Sequence, residues 1–328
     1  MKSTKLIGII LAFLLIFSLP MSSSAYDLPS VNLGFTSFLD GAPPAGPGFY
    51  LTQYVQYWTS DKFKDSKGNN LFNPPPEENL SAWISLTQFI YQSNSEFMLG
   101  AKWGVDVIIP YVMLDLKFKD PDPYIAVNGP LPEDNGAGLG DFLIGPYLQW
   151  DPIMGPNGPR FMHRIEFQCI FPSGEYDQDK ELNPGSNFFS FNPYWAATLF
   201  ITPKLTVSTR IHYLWNDANE QPNRKYVNEG AHEIQAGDAL HLNLAVAYEI
   251  LPNKIRLGIN GYFLNQLHET KMNGNDLSDT EEQVFGIGPG LVYHISKDAH
   301  FFFNAFIETG AENRPEGSRM NFRFVYHF

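Results

Sequence analysis

The sequence has few cysteines, few charged residues and fewer basic residues than acidic ones. A single cysteine, Cys169, stands among 328 residues, so no internal disulfide can form and no pair of cysteines is spaced to hold zinc. Charged residues make up 17% of the chain, and 35 acidic residues against 22 basic ones leave a formal net charge of −13. Proteins that bind nucleic acid present a basic surface, so we expect no nucleic-acid partner.

Signature motifs of enzymes are also missing. Neither a GxSxG nor an HExxH pattern occurs. Ser208 and His212 share one predicted strand, but their spacing separates them by about 13 Å along an extended chain, too far for a nucleophile and its base. We therefore expect no enzyme activity, no catalytic residues, no cofactor and no bound metal.

The first residues have the pattern of a secretory signal peptide. Lys2 and Lys5 precede an apolar run from Leu6 to Pro20, and Ser23 and Ala25 supply small side chains at a cleavage site. A membrane anchor is the alternative, but it requires roughly 20 apolar residues, more than this run offers. We expect residues 1–25 to be removed on export.

The rest of the chain alternates apolar and polar residues, which is the period of β-strands. Its longest apolar run, Val107 to Leu114, is interrupted by Pro110 and is too short for a membrane-spanning helix. The pattern predicts about twelve strands, at 49–61, 80–92, 97–118, 139–151, 159–172, 191–201, 204–216, 237–251, 254–268, 281–295, 299–312 and 317–328.

Short and long connections alternate between these strands. Brief connections are predicted at 93–95, 203–204, 252–253 and 297–298, and long polar ones at 62–79, 119–138, 173–190, 217–236 and 269–280. Outer-membrane barrels have short periplasmic turns and long extracellular loops, whereas a soluble sandwich has no reason to sort its loops in this way. The sequence thus predicts an all-β fold, a single antiparallel transmembrane β-barrel over residues 49–328. A secreted soluble β-protein is the competing interpretation.

The last predicted strand carries an aromatic face that ends at the terminal residue. Met320, Phe322, Phe324, Tyr326 and Phe328 occupy one face, and the other face carries Asn321, Arg323, Val325 and His327. Such an aromatic face would aggregate in water, so we expect outer-membrane lipid and lipopolysaccharide to cover it. We also expect Phe328 to be the assembly signal that the barrel assembly machinery recognises.

Several long motifs resemble a known family. They are NLGFTSFLDGAPPAGPGFY (32–50), KWGVDVIIP (102–110), GLGDFLIGPYLQWDPIMG (138–155), NPYWAATLF (192–200), RIHYLWN (210–216), GINGYFLNQL (258–267), GIGPGLVYH (286–294) and ETGAENRPEGSRMNFRF (308–324). They resemble a family of outer-membrane transporter-like proteins associated with the meta-pathway of phenol degradation. The resemblance implies a barrel that handles aromatic compounds, and it brings no established catalytic residues.

Strand parity places one set of polar side chains inside the barrel. The predicted lumen residues are Lys102, Asp106, Asp141, Gln149, Arg164, Glu166, Arg210, His212, His241, Asn243, Arg256, Asn260, Tyr262, Asn321 and Arg323. One interpretation is that they pair and fill a narrow lumen, because buried charges must be neutralised. The other is that some of them line a path for small, weakly polar solutes.

Residues 26–48, which precede the first strand, are too rich in proline and glycine for a helix or strand. They form either a flexible periplasmic leader or a plug in the lumen. Phe35, Phe38 and Leu39 favour the plug, because they are poorly suited to water.

Two prolines interrupt neighbouring predicted strands. Pro110 and Pro146 each remove a donor from the ladder, and Gly145 lies beside the second. Counted from the loop between their strands, the two prolines are predicted at nearly the same height. Such a seam would be either an ordinary pair of bulges or a lateral exit for apolar solutes.

The sequence therefore predicts an outer-membrane channel or transporter for small hydrophobic or aromatic compounds. A barrel that only binds or adheres through its extracellular loops is the alternative.

Overall fold

A computed structural model describes residues 27–43, 45–72, 77–119, 121–122, 125 and 131–328. The predicted signal peptide, residues 1–25, lies outside these residues. The strands are β1 (Gly48–Phe63), β2 (Glu77–Met98), β3 (Ala101–Lys119), β4 (Ala137–Leu139), β5 (Phe142–Gln149), β6 (Ile153–Gly155), β7 (Gly158–Phe171), β8 (Ser190–Phe200), β9 (Leu205–Asn216), β10 (Ile234–Gln235), β11 (Ala239–Leu251), β12 (Ile255–Gln266), β13 (Lys271–Met272), β14 (Asn275–Asp276), β15 (Gln283–His294), β16 (Ala299–Glu312) and β17 (Pro315–His327), and helix α1 is Arg224–Asn228.

Twelve strands form the wall of a closed antiparallel barrel. In order they are β1, β2, β3, β5, β7, β8, β9, β11, β12, β15, β16 and β17, and each pairs with its neighbours along the chain. Closure comes from β1 pairing with β17, for example Val55 with Phe322. The predicted fold class and strand number are confirmed.

The two faces of the wall follow the alternation in the sequence. On β17, Met320, Phe322, Phe324 and Tyr326 face outward and are 39–50% exposed, whereas Arg319, Asn321 and Arg323 face inward and are at most 6% exposed. An apolar outer band and a polar interior are the pattern of a barrel in an outer membrane.

The barrel has a long-loop end and a short-turn end. The long-loop end carries the connections 64–76, 120–136, 172–189, 217–238 and 267–282, and the short-turn end carries 99–100, 150–157, 201–204, 252–254 and 295–298. In barrels of this type the former faces the outside and the latter the periplasm. Helix α1 and the small sheet of β10, β13 and β14 lie within the long loops. No helix in the described part of the chain is long and apolar enough to cross a membrane.

The first short turn differs from the prediction. The sequence predicts it at 93–95, but β2 continues to Met98 with two register shifts, and the chain reverses at Leu99 and Gly100. These two residues have φ angles of 53° and 71°. Two successive positive φ values suit the tight turns of β-hairpins, so local backbone geometry sets the turn here. The predicted strand 139–151 is also divided, since β4 ends at Leu139 and β5 begins at Phe142.

Candidate functional site

The N-terminal segment (residues 27–47, of which all but residue 44 are described) lies inside the barrel. Near its start, the backbone N–H of Leu28 donates to Glu282 Oε1 at 3.1 Å, beside the long-loop end of β15. Near its end, the N–H of Ala45 donates to the Tyr50 hydroxyl at 3.2 Å, close to the first residue of β1. The segment therefore runs down the lumen from the long-loop end to the short-turn end.

Side chains of the wall satisfy the backbone of this segment. Three N–H groups donate to acceptors on three strands, each at 2.9 Å: Gly34 to Asn243 Oδ1, Leu39 to Ser208 Oγ and Gly41 to Thr198 Oγ1. A segment without its own helix or strand needs such partners when it is buried. The Ser208 hydroxyl is thus used to hold the segment.

Phe38 fits a slot formed by two glycines. A Cβ atom added at Gly258 or at Gly290 would lie 2.7 Å from the Phe38 ring, and the ring is 1% exposed. Phe35 packs edge to face on Tyr54, with ring centroids 5.9 Å apart. Leu39, the third predicted plug residue, is half-buried and has a φ of 56°. The aromatic side chains of the segment are therefore packed against the wall.

The predicted lumen residues all lie on the inner side of the wall. Fourteen of the fifteen are at most 8% exposed, and the remaining one, Lys102, pairs with Asp151 at 2.7 Å near the short-turn end. Asp141, between β4 and β5, accepts N–H groups of Gly174 and Ser186 at 2.9 and 2.7 Å.

Many of these polar groups pair with the segment or with other groups of the wall. Three side-chain amides donate to backbone carbonyls of the segment: Asn243 to Asn32 at 3.0 Å, Gln149 to Gly41 at 3.1 Å and Asn321 to Phe35 at 3.1 Å. Two other side chains bond to the wall: Asn260 Nδ2 donates to the Gly288 carbonyl at 2.7 Å, and Arg256 pairs with Glu249 at 3.4 Å. Part of the set therefore fills the lumen rather than lining an open path.

A polar cluster near the long-loop end includes one predicted site residue, Tyr262. Glu308 accepts from Arg319 Nε at 2.9 Å, from Trp58 Nε1 at 2.9 Å and from the Tyr262 hydroxyl at 2.7 Å. Of these four residues, only Tyr262 is among the predicted site residues. Arg319 lies on the same face of β17 as Asn321, so strand alternation could have identified Arg319 as a lumen residue.

Gly145 provides room for two carboxyl groups. A Cβ atom at this position would lie 2.3 Å from Glu166 Oε1 and 2.7 Å from Asp106 Oδ1. The other oxygen of Glu166 accepts from the Tyr194 hydroxyl, and that of Asp106 accepts from Gln88 Nε2. The glycine is therefore required by the close approach of these acids rather than by a turn.

Two predicted lumen histidines stack on adjacent strands. The ring centroids of His212 and His241 are 4.1 Å apart with an interplanar angle of 14°, and both residues are 1% exposed. His241 Nε2 lies 3.1 Å from Asn192 Oδ1. They are packed groups, and no cluster of three or more metal-ligating side chains occurs in the described residues.

An apolar cavity lies in the long-loop half of the lumen. Its apolar side is formed by inward side chains of β2 and β3, namely Leu80, Ala82, Ile84, Leu86, Ile108, Pro110, Val112 and Leu114, and the start of the N-terminal segment and polar groups such as Asp141 and Arg319 complete its border. The polar lumen set did not include this surface. The apolar run from Val107 to Leu114 could have indicated this inward apolar surface, because a strand that is apolar at consecutive positions is apolar on both faces.

A second cavity, with more charged side chains on its border, opens at the short-turn end. Tyr54, Gln88 and Arg210 border both cavities. The Tyr54 hydroxyl donates to Gln88 Oε1 at 3.1 Å, and Arg210 pairs with Asp40 of the N-terminal segment at 2.6 Å. The two cavities therefore meet at a closed set of hydrogen-bonded and paired groups.

The predicted common height of the two prolines is wrong. Pro146 pairs with Val105, whereas the Pro110 carbonyl accepts from the Gly140 N–H at 3.1 Å. The prolines are thus five residues apart along β3, or about 17 Å. Pro110 faces the apolar cavity and Pro146 faces outward, so Pro110, Gly145 and Pro146 do not form one seam. The break between β4 and β5 shifts the register against β3, so positions counted along an unbroken strand do not apply beyond it.

Two acidic groups at the long-loop end have raised pKa values. Burial raises the pKa of Glu282 to about 7, although Arg314 donates to its carboxyl at 3.2 Å and opposes the shift. Burial also raises the pKa of Asp27, whose carboxyl accepts from the Tyr226 hydroxyl of helix α1 at 2.8 Å. The start of the N-terminal segment is therefore held by carboxyl groups that resist ionisation.

Residues 60–324 match the family described as "Putative MetA-pathway of phenol degradation". The chain belongs to this family. This confirms the resemblance seen in the sequence motifs. No curated protein matches the chain.

A solved structure shows the same architecture. An outer-membrane channel from Pseudomonas putida F1 superposes with a TM-score of 0.70 at 15% identity, over 91% of this chain and 100% of that one. The CymD monoaromatic hydrocarbon channel gives a TM-score of 0.40 at 7% identity, over 87% of this chain and 91% of that one. The first likeness confirms the fold, that of an outer-membrane β-barrel.

Proposed function

We propose that this protein is an outer-membrane channel or transporter for small hydrophobic or aromatic compounds. The observation that carries the proposal is the apolar cavity between β2, β3 and the N-terminal segment. A lumen filled only for stability would pair polar groups throughout, as it does around Glu308. Inward leucine, isoleucine and valine side chains instead leave space that an apolar solute can occupy.

The size of this cavity suits a small ring compound. Its volume is about 200 Å³. A cavity of about 150 Å³ lined by leucine, isoleucine and phenylalanine is large enough to bind benzene. We therefore infer that compounds with one aromatic ring, or aliphatic compounds of similar size, are the solutes.

We infer an axial route from the apolar cavity to the short-turn cavity. Tyr54, Gln88 and Arg210 border both cavities and so form their common boundary. The N-terminal segment runs through the same region, where Asp40 binds Arg210. In this proposal the segment restricts the lumen, and its displacement opens the path.

The outer face of the barrel indicates what surrounds the protein. Outward apolar side chains such as Leu244 and Phe322, 47% and 40% exposed, suit contact with outer-membrane lipid and lipopolysaccharide. Recognition of β17 by the barrel assembly machinery and removal of residues 1–25 during export complete the proposal.

Uptake of radiolabelled toluene and of short alkanes by cells with and without the protein tests this function. The variant Ile108→Asn puts an amide into the apolar cavity, and we expect it to reduce uptake several-fold. Ile109→Val, next along β3 but facing outward and 41% exposed, is the matched control. Equal uptake in cells with and without the protein would favour a barrel that acts only through its loops.

A further inference from the structure

The short-turn cavity is basic, although the chain as a whole is acidic. The cavity has a volume of about 710 Å³, and its border carries six cationic side chains against two carboxylates, Asp40 and Glu249. The cations are Arg164, Arg210, Lys254, Arg256, Lys297 and Arg323. This surplus is four positive charges, or three once Asp298, the partner of Lys297, is counted, and in a protein with a formal net charge of −13 it is a local feature.

Two of the six cations are buried without an acidic partner. Arg210 pairs with Asp40 at 2.6 Å, Arg256 with Glu249 at 3.4 Å and Lys297 with Asp298 at 3.8 Å. Arg164 and Arg323 are each 6% exposed, and within the described residues no carboxylate oxygen lies within 4 Å of either guanidinium. The Nε atom of each also has no hydrogen-bond partner. Arg164 still interacts electrostatically with Glu166 and Asp40, so Arg323 is the cation with the weaker compensation.

Aromatic side chains lie close to the Arg323 guanidinium. Its central carbon lies 3.7 Å from the centroid of the Phe302 ring and 6.0 Å from that of Tyr54. A cation over a ring gains less than a buried ion pair, and a buried cation without a counter-charge is costly. The site is therefore suited to an anion that supplies the missing charge.

Apolar side chains next to Arg323 define the rest of the ligand. Ile90, Phe302 and Val325 border the same cavity and pack in one cluster. A guanidinium beside an apolar wall suits a carboxylate with an apolar body, since the planar fork of arginine binds a carboxylate through two N–H groups. Inorganic anions would leave the apolar wall unused.

We propose that the short-turn cavity binds the carboxylate of a small apolar organic acid, with Arg323 as the paired residue and Arg164 as a second cation. The inference rests on the proposed function, because the acid is taken as a solute of the channel. The proposal adds organic carboxylates to the solutes, a class that the apolar cavity by itself does not indicate.

Calorimetric titration of the purified full-length barrel in a nonionic detergent tests the site. Benzoate is the probe, and benzyl alcohol, toluene, acetate and inorganic phosphate are the comparison ligands. We expect benzoate to bind at least tenfold more tightly than benzyl alcohol and acetate, and to weaken as salt is raised. Arg323→Gln should reduce benzoate affinity at least tenfold, and Arg323→Lys should recover part of it.

Control variants separate this site from general effects. Lys117→Gln removes an exposed cation near the long-loop end, 73% exposed in its side chain, and should leave benzoate affinity unchanged. If the Arg323 variants fail to fold, as judged by heat-modifiable mobility, Arg164→Gln tests the same cavity independently and should also weaken benzoate binding. Benzoate affinity unaffected by either arginine variant, or equal binding of acetate or phosphate, would overturn the proposal.

The same titration distinguishes the two proposals. Binding of toluene without selective binding of benzoate would overturn the carboxylate site and support the proposed function. Binding of benzoate that depends on Arg323, with no binding or uptake of toluene, would support the site and count against the apolar solute class.

Discussion

Asp40 of the N-terminal segment and Arg210 of β9 form a two-pronged ion pair inside the barrel. Arg210 Nε donates to one carboxylate oxygen at 2.6 Å and a terminal nitrogen donates to the other at 2.7 Å. Both side chains are 6% exposed, and the Arg210 guanidinium lies 4.1 Å from the centroid of the Tyr194 ring. This contact ties the segment to the wall where the two cavities meet.

Breaking this pair should loosen the segment. Asp40→Asn leaves the Arg210 charge buried without its carboxylate, a change that costs about 3–5 kcal/mol in comparable buried pairs. We expect higher single-channel conductance in planar bilayers, and a further rise when residues 32–47 are deleted. Asp61→Asn, an exposed acid at the other end of β1, is the control. Unchanged conductance in both the Asp40→Asn variant and the deletion would show that the segment does not restrict the lumen.

A methyl group at Gly145 should destabilise the barrel. Gly145→Ala would bring a carbon within 2.3 Å of Glu166 Oε1 and 2.7 Å of Asp106 Oδ1. Overpacking of this kind costs about 1–3 kcal/mol, which a denaturant titration of the folded barrel would measure. Gly155→Ala has its nearest neighbour at 3.7 Å and should be almost neutral. Equal stability of the two variants would contradict the close packing of the acids.

A charge on the outer face should hinder insertion. Leu244 lies near the middle of β11, faces outward and is 47% exposed. Leu244→Arg should cost about 2–4 kcal/mol, because it places a cation near the bilayer midplane. Leu244→Met is the apolar control, and refolding into lipid vesicles gives the free energy. If the arginine variant inserts as well as the methionine variant, the assignment of inner and outer faces on β11 is wrong.

The terminal aromatic residue should matter for assembly. The Phe328 N–H donates to the Phe49 carbonyl at 3.0 Å, its ring lies 5.0 Å from that of Tyr326, and the residue is 73% exposed. Phe328→Asp should reduce the heat-modifiable folded form in cells, whereas Phe328→Tyr should preserve it. A normal folded yield for the aspartate variant would remove the role of this residue as the assembly signal.

The anchoring of the segment at the long-loop end should depend on pH. Burial raises the pKa of Glu282 from an ordinary value of 4.5 to about 7. Because the folded state binds this proton more tightly, its contribution to stability is full below about pH 4.5 and is lost as the pH rises through about 7. We expect the unfolding temperature to fall across this range. Glu282→Gln should reduce the change of unfolding temperature with pH. If the unfolding temperature of this variant depends on pH as strongly as before, other groups cause the dependence.

The sequence was sufficient for the architecture of the barrel because each wall strand has neighbours on both sides. Period-two alternation then decides which side chains face the membrane, and Asn321 and Arg323 alternate with Phe322 and Phe324 accordingly. The alternation of short and long connections indicated the two ends. Neither inference requires knowledge of a contact distant in the chain.

The tertiary structure alone decided how the groups inside the lumen are arranged. The heights of Pro110 and Pro146 depend on the register between β3 and β5, which a break near Gly140 shifts. The apolar patch around Ile108 lies on a strand with apolar residues on both faces, so alternation could not assign it. The pairing of Asp40 with Arg210 joins residues 170 positions apart, and only closure of the wall around the N-terminal segment brings their charges together.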